Sequence, residues 1–198
     1  MNISRDATVG RWRTVDIVLG AVLAVAFGAV FQAWNLLWAG LTPAFQALPP
    51  LQGVMYGVWM LPAVLVPLVI RRPGAALLGE GVAAVASALF GAPWGLLTIA
   101  YGLMQGGAAE LVFGLALYRR WGLPTALLAG AAAGAAAVIL DLLIYYPSWA
   151  VGFQALYAAL VIPSAAIVAG LGGWLLVHAL ARTGVLSAFP AGREQPEV

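Results

Sequence analysis

An all-α polytopic membrane protein, a bundle of six transmembrane helices, is the fold class this sequence predicts, and three observations predict it. Of its 198 residues, 64% are hydrophobic and only 8% are charged, against about 25% charged in soluble domains. Mean hydropathy is +0.99. All nine basic residues are arginines that lie outside the apolar stretches. They divide the chain into segments able to cross about 30 Å of hydrocarbon at about 1.5 Å per helical residue.

The elements follow in order. Residues 1–13 are polar and Arg-bearing and form an N-terminal segment. Span one, 14–34, is longer than a signal-peptide core and reads as retained. Asp16 opens it, where an acid complements a helix N-terminus. Span two, 51–70, ends at Arg71-Arg72. Span three, 73–90, is the shortest and holds Glu80, which keeps a five-span arrangement open. Gly91-Ala92-Pro93 supplies a tight turn into span four, 93–118. Arg119-Arg120 separates that span from span five, 123–146. Span six, 153–181, precedes a tail at 182–198, so residues 14–181 form one transmembrane domain.

With six spans, Arg5, Arg11, Arg13, Arg71, Arg72, Arg119, Arg120, Arg182 and Arg193 all fall on one face. The positive-inside rule makes that face cytoplasmic and puts both termini inside. Five spans would split the arginines between faces. The opposite loops, near 35–50, 91–92 and 147–152, carry no charge.

That outer face has its own chemistry. Trp34, Asn35, Trp38, Gln46 and Gln52 surround a loop of about 16 residues that ends in Pro49-Pro50. Trp94, Tyr145, Tyr146 and Trp149 gather at the same level, and Tyr56 joins them as a candidate lining residue. An interfacial aromatic belt accounts for the rings one by one. It does not account for the amides, and a long outer loop is a common place for a lid. A substrate vestibule is the sharper reading.

Three acids, Glu80, Glu110 and Asp141, sit within apolar spans with no basic residue in those spans. Such residues cost roughly 2.5–3.5 kcal/mol on insertion scales and usually face a bundle interior for a function. Glu80 lies about 12 Å from the arginine end and Glu110 about 13 Å, so two glutamates on antiparallel spans are expected to face one cavity. Asp141 is nearer the outer end, one turn before Tyr145 on the same helical face, and is a candidate anchor for the outer rim. Tyr101 and Gln105 are one turn apart on span four. Gln105 and Glu110 lie about 140° apart around an ideal helix and should not point alike. For each acid, the bland alternative is a neutral carboxyl bonded to a neighbouring helix.

Gly20, Ala24 and Gly28 form a small-residue row on span one, suited to close approach by another helix, of this chain or of a partner. The lone His178 reads as a packing residue. Zero cysteines exclude disulfides and thiolate chemistry. One histidine cannot build an ordinary zinc site, and no phosphate-binding loop or nucleophile elbow is present. Neither an enzyme, a resident cofactor or metal, nor a nucleic-acid partner is expected. Arginines that only flank spans give no nucleic-acid footprint.

Two stretches carry a family resemblance. Arg71-Arg72-Pro73-Gly74-Ala75-Ala76-Leu77-Leu78-Gly79-Glu80 resembles the R-K/R-P-G-A-A-L-x-x-E signature of YkoE-type S-components of energy-coupling-factor (ECF) vitamin transporters. Gly102-Leu103-Met104-Gln105-Gly106-Gly107-Ala108-Ala109-Glu110-Leu111-Val112-Phe113 is similar to that family's G-x-x-Q-G-x-x-x-E-x-x-F segment. Trp12 and Asp16 match its Trp-x-x-x-Asp entry to span one. The resemblance implies a substrate-capture subunit in a prokaryotic cell membrane that works with a transmembrane coupling protein and two cytoplasmic ATPases. It implies thiamine or its hydroxymethylpyrimidine moiety as ligand, and Glu80, Gln105 and Glu110 as motif residues. It also points to small residues on span one, Gly20, Ala24 and Gly28, as a partner interface. Trp34, Trp38 or Trp94 would close over the site. A small proton-coupled carrier of a cationic aromatic solute, with the glutamates as a relay, is the alternative.

Overall fold

The computed structural model describes residues 12–193, and all of its regular structure there is helical. The expectations for residues 1–11 and 194–198, Arg5 and Arg11 among them, lie outside the described residues. The α-helices are α1 (Thr14–Leu41), α2 (Leu61–Ile70), α3 (Ala75–Leu89), α4 (Leu97–Leu115), α5 (Leu123–Ile144), α6 (Val151–Ala165), α7 (Gly173–Arg182) and the short α8 (Pro190–Arg193). A 3-10 segment, Pro49–Met60, runs directly into α2. A π-helical segment, Ala166–Gly172, joins α6 to α7.

Four continuous stretches are long and apolar enough to cross a membrane: Thr14–Phe45, Pro49–Ile70, Leu123–Ile144 and Val151–Arg182. The other two expected spans are weaker. α3 is apolar but has only 15 residues, about 22 Å of helix. α4 has 19, and Gln105, Glu110 and its glycines dilute its apolar character.

α1 departs from expectation by running 28 residues, because nothing breaks it before the Thr42-Pro43 turn. The supposed outer loop therefore shrinks. Trp34, Asn35 and Trp38 belong to a helix that rises about 42 Å.

α2 is the core helix. Its residues from Pro62 to Ile70 are all buried, and α1, α3, α5 and α7 pack around it. An element that is apolar on every side must be surrounded in this way. Small residues set the other contacts. A Cβ on Gly28 of α1 would lie 2.5 Å from the Ala86 Cβ of α3, and one on Gly20 would lie 3.1 Å from Ile70 and Leu78 side-chain carbons. Gly20, Ala24 and Gly28 are thus buried within the chain, which corrects their expected role as a partner interface. The row is used up by the molecule's own α2 and α3.

The expected C-terminal tail also begins as structure. Leu186, Phe189 and Ala191 are buried in the core cluster, and α8 packs on α2 and α7.

Candidate functional site

The acids divide between two ends of the bundle. At the arginine end, Asp16 is fully buried. It accepts from Arg13 Nη2 at 2.6 Å and from the Arg13 backbone N–H at 3.0 Å, and Arg72 Nε lies 3.5 Å away. The hydrogen bond to Asp16 holds the Arg13 guanidinium above its ordinary pKa. Arg13 also donates to the Ala188 carbonyl and lies 6.0 Å from the Phe189 ring centroid. Trp12 Nε1 donates to the Pro73 carbonyl at 3.0 Å.

Glu110 belongs to this end. Its Oε1 accepts from Gly74 N at 2.6 Å and its Oε2 from Ala76 N at 2.9 Å. The Tyr118 hydroxyl lies beside the same carboxylate. These N–H groups open α3, where no intrahelical acceptor exists, and Gly74 sits at φ 85° with no side chain of its own to cap them. Glu110 supplies the cap from the next helix. It does not line the cavity with Glu80, so the expectation of two glutamates facing one ligand is corrected. The 140° offset from Gln105 turns it away, as the helical geometry implied.

At the tryptophan-rich end lies a cavity of about 240 Å³ between α1, the 3-10 segment, α3, α4 and the end of α5. It has a polar wall and an aromatic wall. The polar wall comes from one face of α3 (Glu80, Ser87) and one of α4 (Thr98, Tyr101, Gln105). These helices meet closely because Gly106 faces Glu80: a Cβ there would lie 2.9 Å from the Glu80 Cβ. Glu80 is 1% exposed. Its Oε2 accepts from Ala63 N at 3.0 Å, whereas Oε1 has no hydrogen-bond partner among the described residues. The Gln105 amide, on a residue 4% exposed, and the Thr98 hydroxyl also lack partners among the described residues.

Trp38, Tyr56, Trp59 and Trp94 form the aromatic wall. Their rings meet edge to face, with centroids 5.1 Å apart for Trp38–Trp59, 5.4 Å for Tyr56–Trp59 and 5.7 Å for Trp59–Trp94. Trp59 Nε1 donates to Asn35 Oδ1 at 2.9 Å, and Gln52 Nε2 to the Tyr146 hydroxyl at 2.7 Å. Asp141 stands at the far end. Tyr101 donates to its Oδ1 at 2.7 Å and Tyr157 to its Oδ2 at 2.6 Å. Tyrosine hydroxyls thus meet both of its oxygens, and no basic side chain lines the cavity.

Of the expected site residues, Glu80, Gln105, Asn35, Trp38, Tyr56, Trp94, Tyr101, Asp141 and Tyr146 line this one cavity. Asp141, expected as a rim anchor, is the acid that shares it with Glu80. Trp34 stands outside, its Nε1 given to the Met55 carbonyl at 3.0 Å. Trp59, Ser87, Thr98 and the supporting Tyr157 were missed. Trp59 carried a signal in its three-residue spacing from Tyr56, which keeps side chains on one face of an α-helix and eclipses them in a 3-10 helix.

Comparison with known proteins shows the family. Residues 15–136 match the family model for the ABC-type cobalt transport system, permease component. The chain is 33% identical over 184 residues to the "Putative HMP/thiamine permease protein YkoE" of Bacillus subtilis (strain 168), covering 92% of each. The chain belongs to the YkoE-type S-components of ECF transporters. A solved S-component of an ECF transporter superposes with a TM-score of 0.89 at 32% identity, covering 93% of both chains. The YkoE-type chain is therefore a multi-pass membrane protein of a prokaryote and a vitamin-uptake component, and its relatives are transporters rather than enzymes.

Proposed function

We propose that this S-component captures thiamine from the outer face of the plasma membrane and delivers it through a transmembrane coupling protein driven by two cytoplasmic ATPases. The chain then crosses the bilayer six times, α3 and α4 included, with the arginine end and both termini in the cytoplasm. One observation carries the ligand assignment: an aromatic-walled cavity with two buried acids, Glu80 and Asp141, and no basic side chain. A buried anion without a countercharge calls for a cation.

The two walls suit the two halves of thiamine. Glu80 Oε1 and the Gln105 amide can take the donor and acceptor edge of an aminopyrimidine. The thiazolium, a permanent cation without N–H groups, needs only aromatic faces and a nearby negative charge. Cation–π attraction contributes about 0.5–2 kcal/mol, and Asp141 keeps its hydrogen bonds to tyrosine. Hydroxymethylpyrimidine alone lacks that cation. A glutamate-to-glutamate proton relay loses its second member, because backbone amides occupy Glu110.

Isothermal titration of the purified chain with thiamine, hydroxymethylpyrimidine and an uncharged thiamine analogue tests the reading. Thiamine should bind at least about tenfold more tightly than either, a difference of about 1.4 kcal/mol. Equal affinity for the uncharged analogue rejects the charge argument.

A further inference from the structure

We propose that Ser164, which lines no part of the cavity, is a positioning residue that holds the 3-10 segment in its overwound form and so builds the aromatic wall. The inference rests on the thiamine reading only for its affinity measurement. The geometry stands without it.

Pro49–Met60 is 12 residues of 3-10 helix, where runs beyond three or four are uncommon because the hydrogen bonds are poorly aligned. Something outside the segment must hold it. Ser164 Oγ accepts from the Gly57 backbone N–H at 3.1 Å and donates to the Val54 carbonyl at 2.7 Å. Val54 and Gly57 are the i and i+3 members of one 3-10 turn. A single hydroxyl thus engages both the donor and the acceptor of that turn.

The contact is available because the facing residues are glycines. A Cβ on Gly57 would lie 2.5 Å from the Ser164 carbonyl oxygen, and one on Gly53 would lie 2.9 Å from a Val161 methyl carbon. On the other side, Pro163 and the π segment beginning at Ala166 loosen the backbone around Ser164. An overwound element therefore packs against an underwound one, and Ser164 joins them.

The consequence for the site is angular. Residues three apart are eclipsed at about 120° per residue in a 3-10 helix but lie about 60° apart in an α-helix. Tyr56 and Trp59 are such a pair, with ring centroids 5.4 Å apart. Relaxation toward α would splay them and open the wall against Trp38 and Trp94.

Full-length protein carrying Ser164→Ala, and Ser164→Thr as the conservative variant, tests this by two readouts. Near-ultraviolet circular dichroism without ligand reports the coupled rings. Titration with thiamine reports the site. Ser164→Ala should lose part of the aromatic band and bind about three- to tenfold more weakly. Ser164→Thr, which keeps the hydroxyl, should restore both. An unchanged band in Ser164→Ala, or failure of Ser164→Thr to restore it, overturns the proposal. If the alanine variant does not accumulate, Ser164→Cys, similar in shape but a weak donor, should fall between, and a native band there counts against the role. Should thiamine not bind the unsubstituted chain, the ligand assignment fails while the ligand-free band still decides Ser164.

Discussion

Glu80 and Glu110 lie on neighbouring helices, eight and nine residues in sequence from the nearest flanking arginines, each inside a family-like motif, and the structure uses them oppositely. Glu110 has both oxygens on backbone N–H groups at the start of α3 and a tyrosine beside it. Glu80 has one oxygen on Ala63 N and leaves the other to the cavity. The contrast extends to whole ends of the bundle. Where arginines gather, acids are consumed by caps and ion pairs, as Asp16 is by Arg13 and Arg72. Where tryptophans gather, Gln105 and Thr98 keep capacity in reserve. An acid in a membrane span is a functional candidate in proportion to the bonds its own chain leaves unmade.

The sharpest way to break that comparison is to remove each glutamate and ask which property fails. Glu110→Ala leaves the Gly74 and Ala76 N–H groups without acceptors. At about 1–3 kcal/mol for each unsatisfied group, stability should fall by roughly 2–6 kcal/mol, read as a lowered melting temperature and yield. Thiamine affinity of the remaining folded protein should hold. Normal stability with lost binding would reverse the roles assigned to the two residues.

Glu80→Gln should do the opposite. The amide oxygen still accepts from Ala63 N, so the melting temperature should hold, since a neutral group of the same shape takes the buried position. Affinity should drop by at least about thirtyfold, or roughly 2 kcal/mol, in calorimetric titration. A variant that binds normally removes Glu80 from the site.

Trp59→Leu probes the aromatic wall. Loss of a cation–π face of about 0.5–2 kcal/mol should weaken thiamine roughly two- to thirtyfold. The uncharged analogue should lose less, because it lacks the charge that the ring face attracts. Equal losses for both ligands would mean that the ring contributes shape alone.

These assignments mark how far the sequence could be read. The helical plan and the amide-bearing aromatic end followed from composition and spacing. So did the divergence of Gln105 from Glu110, which is helix geometry alone. The role of Glu110 was hidden because it depends on where α3 begins, and the Pro73-Gly74 turn fixes that start only in three dimensions. The tyrosine partners of Asp141 were hidden for a related reason: Tyr101 and Tyr157 lie 40 and 16 residues away. The small-residue row on α1 was legible as a close contact, but its occupant, α3, was not. Trp59 was missed because a run read as α-helical is wound as a 3-10 helix.

Trp34 and Trp38 offer the smallest and most discriminating test. They are one turn apart on α1, and both looked like lid residues. Trp38 lines the cavity and meets Tyr56 and Trp59, whereas Trp34 spends its N–H on the Met55 carbonyl. Trp34→Phe removes that single bond, worth about 0.5–1.5 kcal/mol, and should lower the melting temperature by a few degrees at most. Thiamine affinity should not move, because the ring contributes nothing to the cavity wall. The bond does tie α1 to the 3-10 segment, so a shift in affinity would show that the wall depends on this strut as well as on Ser164.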